Sequence, residues 1–529
     1  MTMQARAGTS PDAGFAPVLD VLHTRQEARG YLAEEDISAA AELAGLSAAE
    51  LYSAVTAYPR FRFVPDEAIP AVCTGLPCLF RGSAALLSAS SGARETHCLG
   101  LCDQPVALLT ADGPRVSARG TIADLQIPAT PAATTGVAES AFFAPADPFD
   151  AVRTARDRQP DEVISLVTES TLEGRGGGGF PTGRKWNAVR AAPSERKFVV
   201  CNADESEPGT FKDRLILDHQ PRRLLAGMAL AAYAIGASVG VVYIRFEYRP
   251  QEERLLEEIG RLRGEGLLGN SFDVVVRRGA GCYVCGEETA LLNSLEGQRP
   301  IPRDRPPYPV TSGLFGAPTL VQNVETLAAL PAIVNRGPQW YRDAGSPKLY
   351  CVSGDVPNPG VFELPLGVTA RELIERAGVS GTAVKAFTLG GLSGGLLPAS
   401  ALDVRLDFTD PRRYGAFLGS GAIIVAGHDR CTVRLALEAM RFLAGESCGK
   451  CFPCRIGTTR LRERLDDAVA FRATDSTEVD DIIDVLTSGS ACGLGPAAAL
   501  IVRHLVEHFG EELSAHQGGR CPAGECAKG

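Results

Sequence analysis

Apolar positions along the chain fall into two periods, and the switches between them mark its elements. Phe15–Tyr58 spaces its apolar side chains at helical intervals, with capping signals at Ser38 and Ser47, and reads as helices. Arg81–Ser88 and Asp161–Leu172 read as short helices, and Phe198–Ala203 and Phe272–Arg277 as buried strands. Leu224–Ile244 is uncharged between Arg223 and Arg245, long enough to span a bilayer. It is rich in Ala and Gly, however, and Gly236–Gly240 breaks it. The reading is therefore a buried helix, Leu224–Ile235, turning into a buried strand, Val239–Phe246, without membrane insertion. Trp340–Asp343 leads into Lys348–Gly427, where strand-like pieces (Lys348–Val356, Ala422–Gly427) flank one helix, Thr369–Ala377. Cys431–Ala444 is helical again, while Pro128–Pro148, rich in Ala, Thr and Pro, reads as a linker.

A length of 529 residues is too great for one core and predicts several domains. The net charge of −10 argues against a nucleic-acid partner. The N-terminus lacks the apolar segment of a secretion signal, so a cytoplasmic protein is expected. The 15 cysteines are grouped at short spacings, which points to metal and not to a disulfide framework.

The candidate chemistry centres on Glu173–Trp186 (EGRGGGGFPTGRKW) and Arg278–Glu288 (RGAGCYVCGEE). From Gly174 to Gly179 only Arg175 is not glycine, so backbone N–H groups can close on a phosphate or a flat ring. The spacing matches the dinucleotide fingerprint, but a helix precedes it where that fingerprint needs a strand. Asn202, Asp204, Glu205, Ser206 and Glu207 gather at the end of a predicted strand, where α/β sheets bind ligands. Cys448, Cys451 and Cys454, with Cys492 far downstream, have the pattern of a [4Fe–4S] cluster, because a cubane takes one thiolate per iron. A zinc ribbon would bring two C-x2-C pairs. Cys73, Cys78, Cys98 and Cys102 suit a [2Fe–2S] cluster, a zinc ion or four buried free thiols. In the tail, His516, Cys521 and Cys526 suit a metal knuckle whose fourth ligand would be Cys431, and zinc is the ion expected; the alternative is a frayed terminus.

Two resemblances follow. Phe15–Ile127, with CLGLCDQPV, resembles the thioredoxin-like [2Fe–2S] subunit that accompanies the flavoprotein of respiratory complex I. The gap between Cys78 and Cys98 is short and reads as one helix, without the family's further strand or hairpin. Asp150–Ala515 resembles the NADH- and FMN-binding subunit of complex I and the diaphorase subunits of NAD-linked hydrogenases and formate dehydrogenases. Glu173–Asn187, Asn202–Asp213, Gly279–Pro307, Gln322–Thr326 and ESCGKCFPCR carry the likeness. It implies an α/β multidomain protein: a helical plus thioredoxin-like domain (1–127), a linker (128–149), a Rossmann-like FMN/NAD(H) domain (150–343), a ubiquitin-like β-grasp insert (344–430) and a helical [4Fe–4S] domain with the Cys/His tail (431–529).

The resemblance also implies roles. Gly174, Arg175, Gly176 and Lys185 would hold FMN and its phosphate, with Asn323 and Thr326 closing round the phosphate. Asn202, Asp204, Glu205, Ser206, Tyr283, Gly286 and Glu287 would line the flavin. Phe180 would stack on the adenine of NAD(H), with Glu207 and Glu288 at its ribose and nicotinamide side. Arg305 and Tyr308 stand where the family has Lys and Phe, and Ala188 where it often has an aromatic. No side chain is expected to act beyond positioning cofactors. The implied activity is NAD(H):acceptor oxidoreduction, with a formate dehydrogenase catalytic subunit as favoured partner. Alternatives are a hydrogenase or complex I, and a small [2Fe–2S] subunit is a further expected partner in the assembly. The β-grasp insert shows no chemistry, and Cys351 reads as a core thiol.

Overall fold

A computed structural model describes residues 18–65, 70–131, 133–472 and 478–526. The first helices, Val18–Arg29, Glu34–Ala44 and Ala48–Val55, agree with the apolar periodicity; Phe15 lies outside the described residues. Ser47 caps the third helix through the amide of Glu50. Ser38 does not act as a cap: it sits inside the second helix and donates to the carbonyl of Glu34. Val18, Leu22 and Leu51 share a core with Val241, Tyr243 and Leu291, so these helices lie against the nucleotide-domain sheet.

The thioredoxin-like sheet comprises β1 (Ala71–Cys73), β2 (Arg94–Thr96), β3 (Ala107–Thr110), β4 (Gly113–Ser117) and β5 (Leu125–Gln126), in the order β2-β1-β3-β4-β5. β2 corrects the reading of the Cys78–Cys98 gap. A strand is present there and pairs in parallel with β1, and the helix read at Arg81–Ser88 is Ser83–Ala89. Arg94 and Glu95 are exposed, so β2 carries no hydrophobic signature for a sequence reading to find. The proline-rich segment that follows contributes β6 (Ala133–Thr135), which pairs with a strand of the β-grasp sheet, and the Ala141 amide donates to Glu363 at 2.7 Å. It is a docked strap, held by backbone bonds that composition does not reveal.

Behind the glycine loop stands a parallel sheet of β7 (Phe198–Ala203), β8 (Val239–Ile244), β9 (Asp273–Arg278) and β10 (Thr319–Asn323), in the order β10-β7-β8-β9. Its strands are apolar on both faces because helices cover both. Helices Pro221–Ile235 and Val324–Arg336 meet at Gly227, where a Cβ would lie 2.0 Å from the Leu327 carbonyl oxygen. The uncharged stretch is buried there as read, and no helix among the described residues is long and apolar enough to cross a membrane.

The β-grasp sheet holds β11 (Lys348–Gly354), β12 (Gly360–Leu364), β13 (Val384–Leu389), β14 (Leu396–Pro398) and β15 (Ala422–Gly427), in the order β14-β13-β15-β11-β12-β6. Its helix, Ala370–Arg376, opens with a capping box between Thr369 and Glu372. Helices Thr432–Gly445, Phe452–Val469, Val479–Gly489 and Leu494–Gln517 pack as a bundle around Leu437, Met440, Leu461 and Leu505.

Candidate functional site

The glycine loop is closed at its base by the Gly174 amide, which donates to the Phe180 carbonyl at 2.9 Å, and by the Thr182 amide on Leu172. Gly179 has φ +60°, and a Cβ there would lie 2.7 Å from the Phe408 ring of the β-grasp domain. Gly176 lies so close to Asn323 that a Cβ would sit 3.1 Å from its side chain, whereas Gly178 faces open space. The Arg175 amide donates to Thr326 Oγ1 at 2.9 Å. The Arg175 guanidinium is buried behind the loop on Tyr341 Oη (3.0 Å) and the Ser346 carbonyl (3.1 Å). What it offers a ligand is backbone.

Lys185 Nζ donates to Glu288 (2.7 Å) and to the Val321 carbonyl (2.9 Å), which brings the residues expected at the phosphate and at the nicotinamide into one slot. Arg305 pairs with Glu287 and stands 3.6 Å from Glu288. Glu287 also caps the helix Glu288–Leu295 through the amides of Thr289 and Ala290. Phe180 and Tyr308 project half-exposed at the rim with the Arg184 guanidinium over Phe180, and Ala188 is exposed on the helix Thr182–Ala191.

The carboxylates after β7 part company. Asn202 Nδ2 donates to the Gly286 carbonyl at 2.8 Å, tying that strand end to the second motif. Burial pushes Asp204 up to about 7, and Ser206 Oγ donates to it at 3.2 Å. Glu207 accepts from Tyr283 Oη (2.6 Å) and from the amides of Leu392 and Ser393 (2.7 and 3.0 Å), with burial raising its pKa. Glu205, expected on the flavin, is turned beneath the sheet. It accepts from the amides of Asp213 (2.8 Å) and Arg214 (3.0 Å) and from Tyr248 Oη (2.9 Å), and so caps the helix Lys212–His219.

Several contributors received no role in the sequence reading: Lys212, Asp213 and Glu325 lie inside its motifs, Lys348 and the Leu392–Ser393 amides outside them. Asn323 Nδ2 donates to Asp213 at 2.6 Å, and Lys212 Nζ to Asn323 Oδ1 at 3.3 Å. Lys212 and Lys348 both pair with the fully buried Glu325, at 3.0 and 3.2 Å. Lys348 and the Leu392–Ser393 amides belong to the β-grasp insert, which therefore takes part in the site; nothing in their sequence neighbourhood marks them.

Cys448, Cys451, Cys454 and Cys492 line one small cavity with Val284 and Pro302 of the nucleotide domain. Burial, offset in part by the Ser447 contact, pushes Cys454 up to about 12 as a free thiol, and burial also raises Cys448 and Cys492. Val284 of the Tyr283–Glu288 turn lines this cavity while Glu288 of the same turn meets Lys185, so the turn joins the four thiols to the glycine-loop slot. Cys73, Cys78, Cys98 and Cys102 are all buried together, with the Cys98 and Cys102 sulfurs 3.5 Å apart. A hydrogen bond between them holds Cys98 low and Cys102 high. Their loop is docked by Arg214 on Asp103 (2.5 Å) and Arg245 on the Cys98 carbonyl (2.7 Å), the same residues that surround Glu205. A cavity of about 860 Å³ is lined by His97 and Cys98 together with Asp204, Tyr283 and Glu446.

Known proteins share this layout. The family described as the Nuo51 FMN-binding domain matches residues 167–332, the NADH-ubiquinone oxidoreductase-F iron–sulfur binding region 434–516, and the thioredoxin-like [2Fe–2S] ferredoxin 11–114. An F-type subunit of the NADH-quinone oxidoreductase of Rhizobium meliloti (strain 1021) is 45% identical over 69% of this chain and 90% of its own length. The chain belongs to the family of F-type NADH-quinone oxidoreductase subunits and hydrogenase diaphorase subunits. The HndC component of the NADP-reducing hydrogenase of Solidesulfovibrio fructosivorans is 40% identical over 69% of this chain and 78% of its own. A component of the NAD+-reducing [NiFe]-hydrogenase, in its H2-reduced crystal structure, superposes with TM-score 0.86 at 34% identity, over 95% of this chain and 93% of that one. Membership makes the protein an oxidoreductase of the NADH dehydrogenase (diaphorase) type, with FMN-binding, [4Fe–4S] and thioredoxin-like [2Fe–2S] domains in one chain. The residues present fit these groups: a loop of bare backbone beside Lys185, Asn323 and Thr326 suits a flavin phosphate, and two sets of four gathered thiols suit clusters.

Proposed function

We propose that this chain passes electrons between NAD(H) and iron–sulfur clusters by way of FMN, and in its assembly reduces NAD+ with electrons from a formate dehydrogenase catalytic subunit. FMN supplies exchange between a two-electron hydride and single electrons. The glycine loop, Lys185, Asn323 and Thr326 would hold its phosphate end, with Asn202, Asp204, Ser206, Tyr283, Gly286 and Glu287 along the ring and ribityl chain. Phe180 and Tyr308 would flank the adenine of NAD(H), with Glu207 and Glu288 facing its ribose and nicotinamide side. The protein's own work is to orient the two rings and exclude water; no general base is required. Cys448, Cys451, Cys454 and Cys492 would hold the [4Fe–4S] cluster, and Cys73, Cys78, Cys98 and Cys102 the [2Fe–2S] cluster.

The observation that carries this reading is the Tyr283–Glu288 turn, in which Val284 lines the cavity of the four thiols while Glu288 meets Lys185 in the slot. Replacing Cys451 with Ser should leave flavin reduction by NADH intact and stop electrons from reaching the partner. An unaltered reduced-state EPR spectrum in that variant would overturn the cluster assignment. A hydrogenase partner is the second reading, favoured by the hydrogenase component that superposes over 95% of this chain. Metal analysis of the complex purified from its source separates the two: molybdenum or tungsten supports formate dehydrogenase, and nickel overturns it. The cytoplasm is the location proposed for the assembly; no helix among the described residues is long and apolar enough to cross a membrane.

A further inference from the structure

Beyond the flavin and the cluster cysteines, four ligand-type side chains meet at the far end of the helical bundle. Cys431 precedes the helix Thr432–Gly445, His516 lies in the last turn of Leu494–Gln517, and Cys521 and Cys526 follow on the tail. One ligand atom from each of the four lies within 4.8 Å of every other. Cys431 Sγ stands 3.3 Å from His516 Nε2 and 3.6 Å from Cys526 Sγ. A tetrahedral zinc with Zn–S of about 2.3 Å and Zn–N of about 2.05 Å puts its ligand atoms about 3.5–3.8 Å apart, so the measured separations are those of one shared ion. The site is largely enclosed as well: Cys431 and His516 are wholly buried, Cys526 nearly so, and Cys521 is half-buried.

The surroundings are those of a metal ligand. His516 Nδ1 lies 2.9 Å from the Glu512 carbonyl, to which it donates when Nε2 carries the lone pair. Phe471 stacks on the imidazole at 5.5 Å and 19°, fixing the ring plane. Glu525 accepts from the Cys431 amide (2.8 Å) and from Arg430 (3.1 Å), which holds the tail loop against the start of the helix. Three of the four residues lie outside the iron–sulfur region matched to the family, which ends at 516.

We propose that Cys431, His516, Cys521 and Cys526 bind one structural Zn2+ ion. Three thiolates and one imidazole select zinc over magnesium, calcium or manganese, and one closed tetrahedral position leaves no room for a cluster or a substrate. Binding releases the thiol protons and needs no oxidant. The ion clamps together the ends of two helices whose opposite ends lead to the cubane cysteines: Thr432–Gly445 runs to Cys448, and Leu494–Gln517 starts just after Cys492. Arg430 extends the clamp to neighbouring domains, through Asp355 of the β-grasp insert and the Phe80 carbonyl of the thioredoxin-like part.

Zinc and iron content of the full chain, purified without chelators, tests this together with zinc K-edge absorption. The expected result is about one zinc per chain with three sulfur and one nitrogen neighbours. A Cys521→Ser, Cys526→Ser double variant should lose that zinc while its flavin and iron remain. Zinc below roughly a tenth per chain, a coordination shell without sulfur, or a Cys431–Cys526 disulfide found by mass spectrometry would overturn it. If the double variant does not fold, the absorption spectrum of the unmodified chain still decides. Neither readout depends on turnover, so the zinc site stands or falls apart from the flavin reading.

Discussion

His23 shows how one side chain makes domain docking depend on pH. Its Nε2 lies 3.0 Å from the Gly279 carbonyl, and burial, reinforced by Arg278 and Arg249, lowers its pKa to about 3. The docked imidazole stays neutral while the free one takes up a proton near 6.5, so the contact keeps its full strength above that value and loses it as pH falls toward 3. Between pH 7.5 and 5 the opening free energy of the helix Val18–Arg29 should fall by about 2 kcal/mol, read as an about thirtyfold lower amide protection factor once the intrinsic exchange rate at each pH is divided out. In His23→Gln, which keeps a donor but does not titrate, the protection factors of that helix should be flat over this range. The sequence shows His23 only as a histidine in an amphipathic helix, because its partner is a carbonyl more than two hundred residues away. Glu205 and Glu207 teach the same lesson: adjacent in motif, they diverge because one faces Tyr248 and the other Tyr283.

At the scale of elements, the glycine loop separates two kinds of glycine that look alike in sequence. Gly179 is left-handed and pressed on Phe408, while Gly178 faces open space. An alanine at 179 carries a left-handed backbone cost of about 1 kcal/mol and must also displace the Phe408 ring. Gly179→Ala should weaken FMN binding by roughly tenfold, equivalent to about 1.4 kcal/mol, in a fluorescence titration of deflavinated protein. Gly178→Ala, whose Cβ would meet no protein atom within 4 Å, lacks that strain, so its loss should be the smaller of the two. Equal losses in both variants would mean that the loop's contact with the β-grasp insert is irrelevant to the flavin. The long buried strands and helices were legible because burial on both faces writes a continuous apolar run. β2 and β6 were not, since both are short and mostly exposed and are held by backbone pairing.

Across the whole molecule, Lys348, Glu325 and Lys212 form a buried charge chain from the β-grasp insert to Asn323. Removing one member of a buried pair costs about 3–5 kcal/mol when the partner is stranded, and Lys212 still holds Glu325 here. Lys348→Met should therefore cost about 2–3 kcal/mol and lower the temperature of flavin release, read by flavin fluorescence on heating. An unchanged release temperature would mean that the insert does not brace the flavin site. By itself the sequence determined the order of domains, the glycine loop, the four-cysteine pattern proposed to hold a cubane and the family, because those features are local patterns of residue type and spacing. Tertiary structure alone decided which carboxylate after β7 faces the slot and that the insert supplies amides and a lysine to it. Those contacts join distant parts of the chain through backbone groups and buried ion pairs, whose geometry no local residue pattern encodes.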